Sequence, residues 1–159
     1  MWRLARAADD EAIVELCAQL YREDPSPEPV PEAHARRTLA ALRAEPARGR
    51  ALALDVDGQV RGYAMLVSFW SNELGGEICT IDELFVAAEV RGRGWGSGLV
   101  RAVLHDRAIW PGEPVAFELE VTPSNARARA LYERLGFEPR RNASMRLRRA
   151  HVARSEARE

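Results

Sequence analysis

The sequence predicts a mixed α/β domain built on a central sheet. Three strand-like runs follow one another closely, Arg50–Val56, Gln59–Trp70 and Glu77–Val86, and read as an antiparallel meander. A helix-periodic run, Leu99–Ile109, then leads to Val115–Val121, where Val115, Phe117, Leu119 and Val121 alternate with Ala116, Glu118 and Glu120. A strand, a helix and a further strand in this order predict a parallel pair joined by a right-handed crossover. At 159 residues, 47% hydrophobic and 30% charged, the chain fits one domain over residues 1–159. A domain of that size buries roughly two-thirds of its unfolded surface.

Taken in order, Trp2–Ala7 reads as a short first strand. Asp9 or Asp10 is placed to cap a helix whose apolar positions are Ile13, Leu16, Cys17 and Leu20, at i, i+3, i+4 and i+7. Four prolines at alternate positions (Pro25, Pro27, Pro29, Pro31) end it and force an extended loop. That loop is either a stiff connector or a wall of an acceptor pocket. A second helix is expected from about Glu32 to Arg43, with Leu39 and Leu42 as its apolar residues.

Asp57-Gly58 is a strong hairpin signal between the next two strands. Phe69–Gly76 reads as an aromatic-rich loop whose side chains serve the core, an interface or a pocket. The helix after the glycine-rich stretch carries Leu99, Val100, Val103 and Leu104, and Pro111–Pro114 breaks the chain again. A last helix is expected over Asn125–Leu135, with Gly136 as its C′ residue. Ser144–Arg148 reads as a final strand, followed from about Ala150 by a polar tail. The predicted order is βαα-βββ-α-β-α-β.

Composition excludes several function classes. A net charge of −1 argues against a nucleic-acid or anionic-membrane partner. Cys17 and Cys79 have no metal or redox spacing and read as buried thiols of a reducing compartment. His34, His105 and His151 show no ligand spacing, so no metal site is expected. The N-terminus lacks the apolar core of a signal peptide, and no apolar run approaches the ~20 residues that span a bilayer. A cytoplasmic protein is the expectation.

The chemically suggestive stretch is Arg91-Gly92-Arg93-Gly94-Trp95-Gly96-Ser97-Gly98, between a strand and a helix. Helix N-terminal N–H groups lack internal partners and carry partial positive charge, and glycines let a backbone approach a phosphate closely. Arg91 and Arg93 add positive charge, so the stretch is suited to a pyrophosphate. A Walker loop is excluded because the sequence contains no lysine. The glycine spacing also fails the dinucleotide fingerprint Gly-x-Gly-x-x-Gly. What fits is Arg-x-x-Gly-x-Gly, as Arg91, Gly94 and Gly96.

With Ile81–Val86 before it, that loop resembles the acetyl-CoA loop of the GCN5-related N-acetyltransferase (GNAT) family. Leu119–Phe137 resembles the family's second motif through Asn125-Ala126, Ala130-Leu131-Tyr132 and Leu135-Gly136-Phe137. Two motifs in the right order cover the C-terminal two-thirds of the chain. The first fifty residues, where the family builds acceptor specificity, match in predicted topology only. The resemblance implies a sheet that splays between its fourth and fifth strands, with flanking helices. It further implies acetyl-CoA in the gap, the pantetheine along Leu84, Phe85 and Val86, and the pyrophosphate on the N–H groups of Arg91, Gly92, Arg93, Gly94, Trp95, Gly96 and Ser97. Trp95 stands where the family usually has an aliphatic residue and is expected to pack under the loop. Dimerisation is common among such relatives.

Acyl transfer to an amine needs a neutral amine, a stabilised oxyanion and a proton for the departing thiolate. An alkyl amine near pKa ~10 is only about one part in a thousand neutral at pH 7, so a carboxylate must take a proton. A tyrosine near ~10 can protonate a thiolate near ~8.5. Tyr132 matches the family's general acid and Asn125 the residue that bonds the pantetheine arm; Asn125 is also a good N-cap. The oxyanion donor is expected at the N–H of Phe85 or Val86. Three carboxylates compete as base: Asp82 and Glu120 rank level and Glu83 follows, with a bulge deciding which of Asp82 and Glu83 faces the cleft. The resemblance therefore implies acetyl transfer to a small-molecule or peptide amine. The rival is a non-catalytic CoA-binding module.

Overall fold

The computed structural model describes residues 1–141, 145 and 146. Its strands are β1 (Trp2–Leu4), β2 (Gly49–Val56), β3 (Gln59–Ser71), β4 (Gly76–Val86) and β5 (Ala116–Leu119). Its α-helices are α1 (Asp10–Glu23), α2 (Glu32–Ala44), α3 (Trp95–His105) and α4 (Ala126–Arg134). The sheet order is β1-β2-β3-β4-β5; the first three pairings are antiparallel and β4–β5 is parallel. This is the expected mixed architecture. The strand expected over Ser144–Arg148 lies largely outside the described residues, and the tail after Ala150 lies wholly outside them.

Strand alternation sorts the sheet's side chains onto two buried faces. Ala53, Tyr63, Met65 and Phe85 pack with Ile13, Val14, Leu16 and Cys17 of α1 and with Ala35 and Leu39 of α2. Leu52, Leu54, Ala64, Leu66, Cys79 and Ile81 pack on the opposite face with Leu99 and Val103 of α3 and with Trp2, Ile109 and Trp110. Ile81 and Phe85 share parity yet sit on opposite faces. A bulge resolves this: Met65 pairs with Glu83 and Leu66 with Ile81, leaving Asp82 as the extra residue.

The same bulge shapes the gap between β4 and β5. Parallel pairing runs from Ile78↔Ala116 to Ile81↔Leu119 and then stops, while β4 continues to Val86 on its β3 side. A bulge bends its strand, and this one sits immediately after the last paired residue. β5 is accordingly shorter than the expected Val115–Val121, because beyond Leu119 its partner turns away.

Other boundaries shift for local reasons. α3 begins at Trp95 rather than Leu99, with Gly98 N–H bonded to Gly94 C=O at 2.9 Å. It ends at His105, where Asp106 C=O accepts the N–H groups of Ile109 and Trp110. β1 stops at Leu4, and Asp9 precedes α1 without capping it through its side chain. Its carboxylate instead accepts Arg6 N–H at 2.7 Å and the Arg3 guanidinium at 2.7 and 2.9 Å. Phe69 and Trp70 belong to the end of β3 rather than to a loop, and both are exposed.

Candidate functional site

Two cavities of about 640 Å³ each adjoin consecutive stretches of β4. One lies in the splay. Leu84, Phe85 and Val86 form one of its sides, and Ser124, Asn125, Ala128, Leu131 and Tyr132 form another. Gly92, Gly94, Trp95, Gly96 and Ser97 close it at the start of α3. The other cavity is lined by α1, α2, the proline loop, Met65, Asp82 and Glu83. Ser26, Glu28, Pro29, Val30 and Pro31 all line it, so the loop is a wall and not only a connector.

The glycine-rich loop is shaped for an anion. Gly92 and Gly94 have φ of +82° and +79°, which favour glycine, and a Cβ on either would meet nothing within 4 Å. Backbone that turns in this way presents successive N–H groups on one side. α3 has no side-chain N-cap, and its first helical bond is donated by Gly98. Among the described residues, the N–H groups of Trp95, Gly96 and Ser97 are left for a ligand. Gly96 has a different reason to be glycine: a Cβ there would stand 2.7 Å from Leu131 Cδ2, so its absence lets α3 and α4 close on each other.

Trp95 packs against both cores, donates from Nε1 to Val90 C=O at 3.1 Å and accepts from Trp2 Nε1 at 2.8 Å. It anchors the loop from beneath, as expected. The two arginines expected to add positive charge at the loop are placed differently. Arg91 Nε donates to Val86 C=O at 2.6 Å, its Nη2 reaches both Glu23 oxygens at 2.8 and 2.9 Å, and its guanidinium lies 5.0 Å from the centre of the Phe85 ring. It lines the cavity as a brace. Arg93 is exposed and does not line it, whereas Arg127 and Arg134 of α4 do.

Asn125 caps α4, accepting from Ala128 N–H at 3.1 Å, and donates from Nδ2 to Asp24 at 3.2 Å. Tyr132 packs edge-on against Phe137 with ring centres 5.6 Å apart. No described residue bonds its hydroxyl. Partial burial pushes this phenol above its ordinary value, so at neutral pH it holds a proton.

Of the three candidate bases, Asp82 and Glu83 share one cavity and Glu120 does not. Glu83 accepts from Tyr63 Oη at 2.7 Å and from Tyr21 Oη, with Cys17 Sγ at 3.9 Å. Asp82 is exposed as a residue, yet the cavity walls strip enough water from its carboxylate to raise its pKa. The negative charges of Glu83 and Glu120 raise it further, against Arg146. Glu120 is exposed and lines neither cavity. Burial pushes the Cys17 thiol up to about 12, so it stays protonated and is unsuited to nucleophilic attack.

Sequence reasoning missed Tyr21 and Tyr63, the partners of Glu83, and the cavity residues Arg22, His34 and Arg146. Tyr21 follows the apolar ladder of α1 by one position after Leu20, which was a usable signal. The pairing of Tyr63 with Glu83 depends on the bulge.

A family model described as the Acetyltransferase (GNAT) family matches residues 13–137. Solved structures agree in fold. An integron cassette protein from the mobile metagenome of Cole Harbour Salt Marsh superposes with a TM-score of 0.75 at 25% identity, covering 93% of this chain and 90% of that one. A possible acetyltransferase from Clostridium difficile 630 gives 0.76 at 20% identity, covering 93% and 96%. The ribosomal-protein-alanine N-acetyltransferase from Brucella melitensis biovar Abortus 2308 gives 0.70 at 21% identity, covering 93% and 99%. A comparison with curated proteins finds no match.

Proposed function

Because this chain belongs to the GNAT acetyltransferase family, we propose that it transfers the acetyl group of acetyl-CoA to a primary amine of a small molecule or peptide. Attack is direct, within a ternary complex. The observation that carries this reading is that two cavities are lined by consecutive residues of β4, Asp82 and Glu83 in one and Leu84, Phe85 and Val86 in the other. The latter also has free helix N-terminal amides and Tyr132.

The donor cavity fits acetyl-CoA by its own chemistry. The N–H groups of Trp95, Gly96 and Ser97 bind the pyrophosphate, helped by the dipole of α3. The free edge of β4 at Leu84, Phe85 and Val86 orients the pantetheine arm. When bound, acetyl-CoA supplies an activated thioester. Asn125, already fixed as the cap of α4, offers its amide to the arm.

On the acceptor side, Asp82 takes the amine's proton, directly or through water. The geometry favours Asp82 over Glu83, whose oxygens are occupied by two tyrosine hydroxyls, and over the exposed Glu120 outside both cavities. An N–H of Phe85 or Val86 faces the developing oxyanion, and Tyr132 Oη delivers the proton that the departing thiolate needs. The proposed compartment is the cytoplasm, where acetyl-CoA is available; no described helix is long and apolar enough to cross a membrane.

Thermal denaturation with and without acetyl-CoA tests the donor, and thiol release with monoamines, polyamines and short peptides tests the acceptor. A ligand at one hundred times Kd adds about 2.7 kcal/mol and raises the midpoint by several degrees. A shift without turnover on any amine overturns the enzymatic reading in favour of a CoA-binding module. No shift with acetyl-CoA overturns the donor assignment.

A further inference from the structure

Beyond Ile81 and Leu119 the sheet's own hydrogen bonds no longer set the distance between β4 and β5. The two lips of the splay are the β4–α3 loop, which contains Arg91, and the β5–α4 loop, which contains Thr122 and Asn125. The end of α1 touches both. Glu23 holds Arg91 at 2.8 and 2.9 Å, and Arg91 in turn holds Val86 C=O. The next residue, Asp24, has its two oxygens each 2.9 Å from Thr122 Oγ1 and accepts Asn125 Nδ2 at 3.2 Å. Asp24 is also where the proline loop begins, its N–H still bonded to Leu20 C=O at 2.8 Å. Behind the lips, α3 and α4 approach each other where Leu131 faces Gly96. The α1 clasp is hydrogen-bonded.

We propose that Glu23 and Asp24 form a brace across the splay, setting the width of the donor cavity and, through the proline loop, the wall of the acceptor cavity. Both also line the donor cavity, and the role assigned to them is to position its two lips. The brace links the two cavities because one dipeptide fixes a side of each. The contacts are partly exposed, so their loss changes global stability little. Their effect falls on geometry.

Thr122 gives the cleanest test, because it is exposed and does not line the donor cavity. Its backbone C=O accepts Asn125 N–H at 3.0 Å, a bond that Thr122→Val keeps, so the hydroxyl's influence on that cavity passes through Asp24. Thr122→Val keeps the side-chain shape and removes the hydroxyl donor. Calorimetric titration with acetyl-CoA, which rests on the reading above, should show affinity weakened about 3–10-fold in Thr122→Val and in Asp24→Asn, with the double variant no worse than the weaker single one. Unchanged affinity in Thr122→Val, or additive losses, overturns the brace. Hydrogen exchange on the ligand-free protein forms a second arm that needs no ligand. Thr122→Val should speed exchange both in residues 119–128 and in the non-proline amides of the 24–31 loop. Unchanged exchange in the 24–31 loop overturns the proposal. Failure of the unaltered protein to bind acetyl-CoA, with exchange still altered, removes the donor assignment and leaves the brace standing.

Discussion

Tyr63 Oη donates to Glu83 Oε2 at 2.7 Å, although the residue paired with Tyr63 across β3–β4 is Phe85. The contact is diagonal, and the bulge at Asp82 makes it by turning Glu83 onto the face of Tyr63 and α1. Adjacent carboxylates thereby receive different environments. Glu83 is bonded by two tyrosine hydroxyls, while Asp82 has no hydrogen-bonding partner among the described residues. One extra residue separates the surroundings of two carboxylates of one strand.

The first prediction concerns Asp82. Its raised pKa puts the acid limb of kcat/KM above the pH expected of an ordinary aspartate, since a base must be ionised to act. Asp82→Asn should remove that limb and lower kcat by about 10²-fold, whereas Glu120→Gln should keep the profile. The stability sign runs oppositely. A carboxyl whose folded pKa is raised favours folding in its protonated form, and that contribution is lost as pH rises through the folded pKa. Asp82→Asn should therefore match or exceed the unaltered protein in urea midpoint at neutral pH, with the gain vanishing in acid. A large activity loss in Glu120→Gln would reverse the assignment.

Tyr63 is fully buried, so its bond to Glu83 should matter for folding. Tyr63→Phe removes a donor to a charged acceptor, worth about 1.5–3 kcal/mol. Glu83 keeps Tyr21, which holds the loss within that range. Urea denaturation at neutral pH reads it directly; a change below about 0.5 kcal/mol would mean that water replaces the phenol.

Much of this arrangement was legible in the residues, for identifiable reasons. The strands of the meander are apolar, strand-like runs punctuated by Asp57-Gly58, β5 carries period-two alternation, and the glycine-rich loop announces its backbone conformation because φ values near +80° favour glycine. Asn125 and Tyr132 were singled out by the family resemblance, and their offset of two helical turns keeps them on one cavity. Asp82 and Glu83 were harder. A bulge depends on which faces Ile81 and Phe85 find buried, and that is decided by α1, α2 and α3 together. The brace was not legible at all, since Asp24 and Thr122 are 98 residues apart and meet only when both cavities exist. The pairing of Arg91 with Glu23 was not legible either, because that carboxylate lies in another helix.

Tyr132 is the next test. Its hydroxyl has no partner among the described residues, so removing it leaves no orphaned group. Tyr132→Phe should therefore leave the urea midpoint nearly unchanged. Loss of a general acid costs about 10²–10⁴-fold in kcat, while the dissociation constant of acetyl-CoA should stay within about twofold, since the phenol serves the departing group and not the ground state. Equal losses in binding and turnover would instead make Tyr132 a packing residue of the donor cavity.

Gly96 separates packing from binding. Alanine is favoured over glycine within a helix by about 1 kcal/mol, and Gly96 lies in the first turn of α3. Against that gain, the new Cβ would stand 2.7 Å from Leu131 Cδ2, the mobile end of a side chain that can rotate away. The two effects offset, and Gly96→Ala should change stability by no more than about 1 kcal/mol either way. Leu131 also lines the donor cavity, however, so its displacement falls on the space meant for the ligand. Affinity for acetyl-CoA should drop about tenfold, a difference of about 1.4 kcal/mol. Calorimetric titration beside thermal denaturation measures both quantities on one preparation. A variant that binds normally would show that the α3–α4 approach at Gly96 serves folding alone.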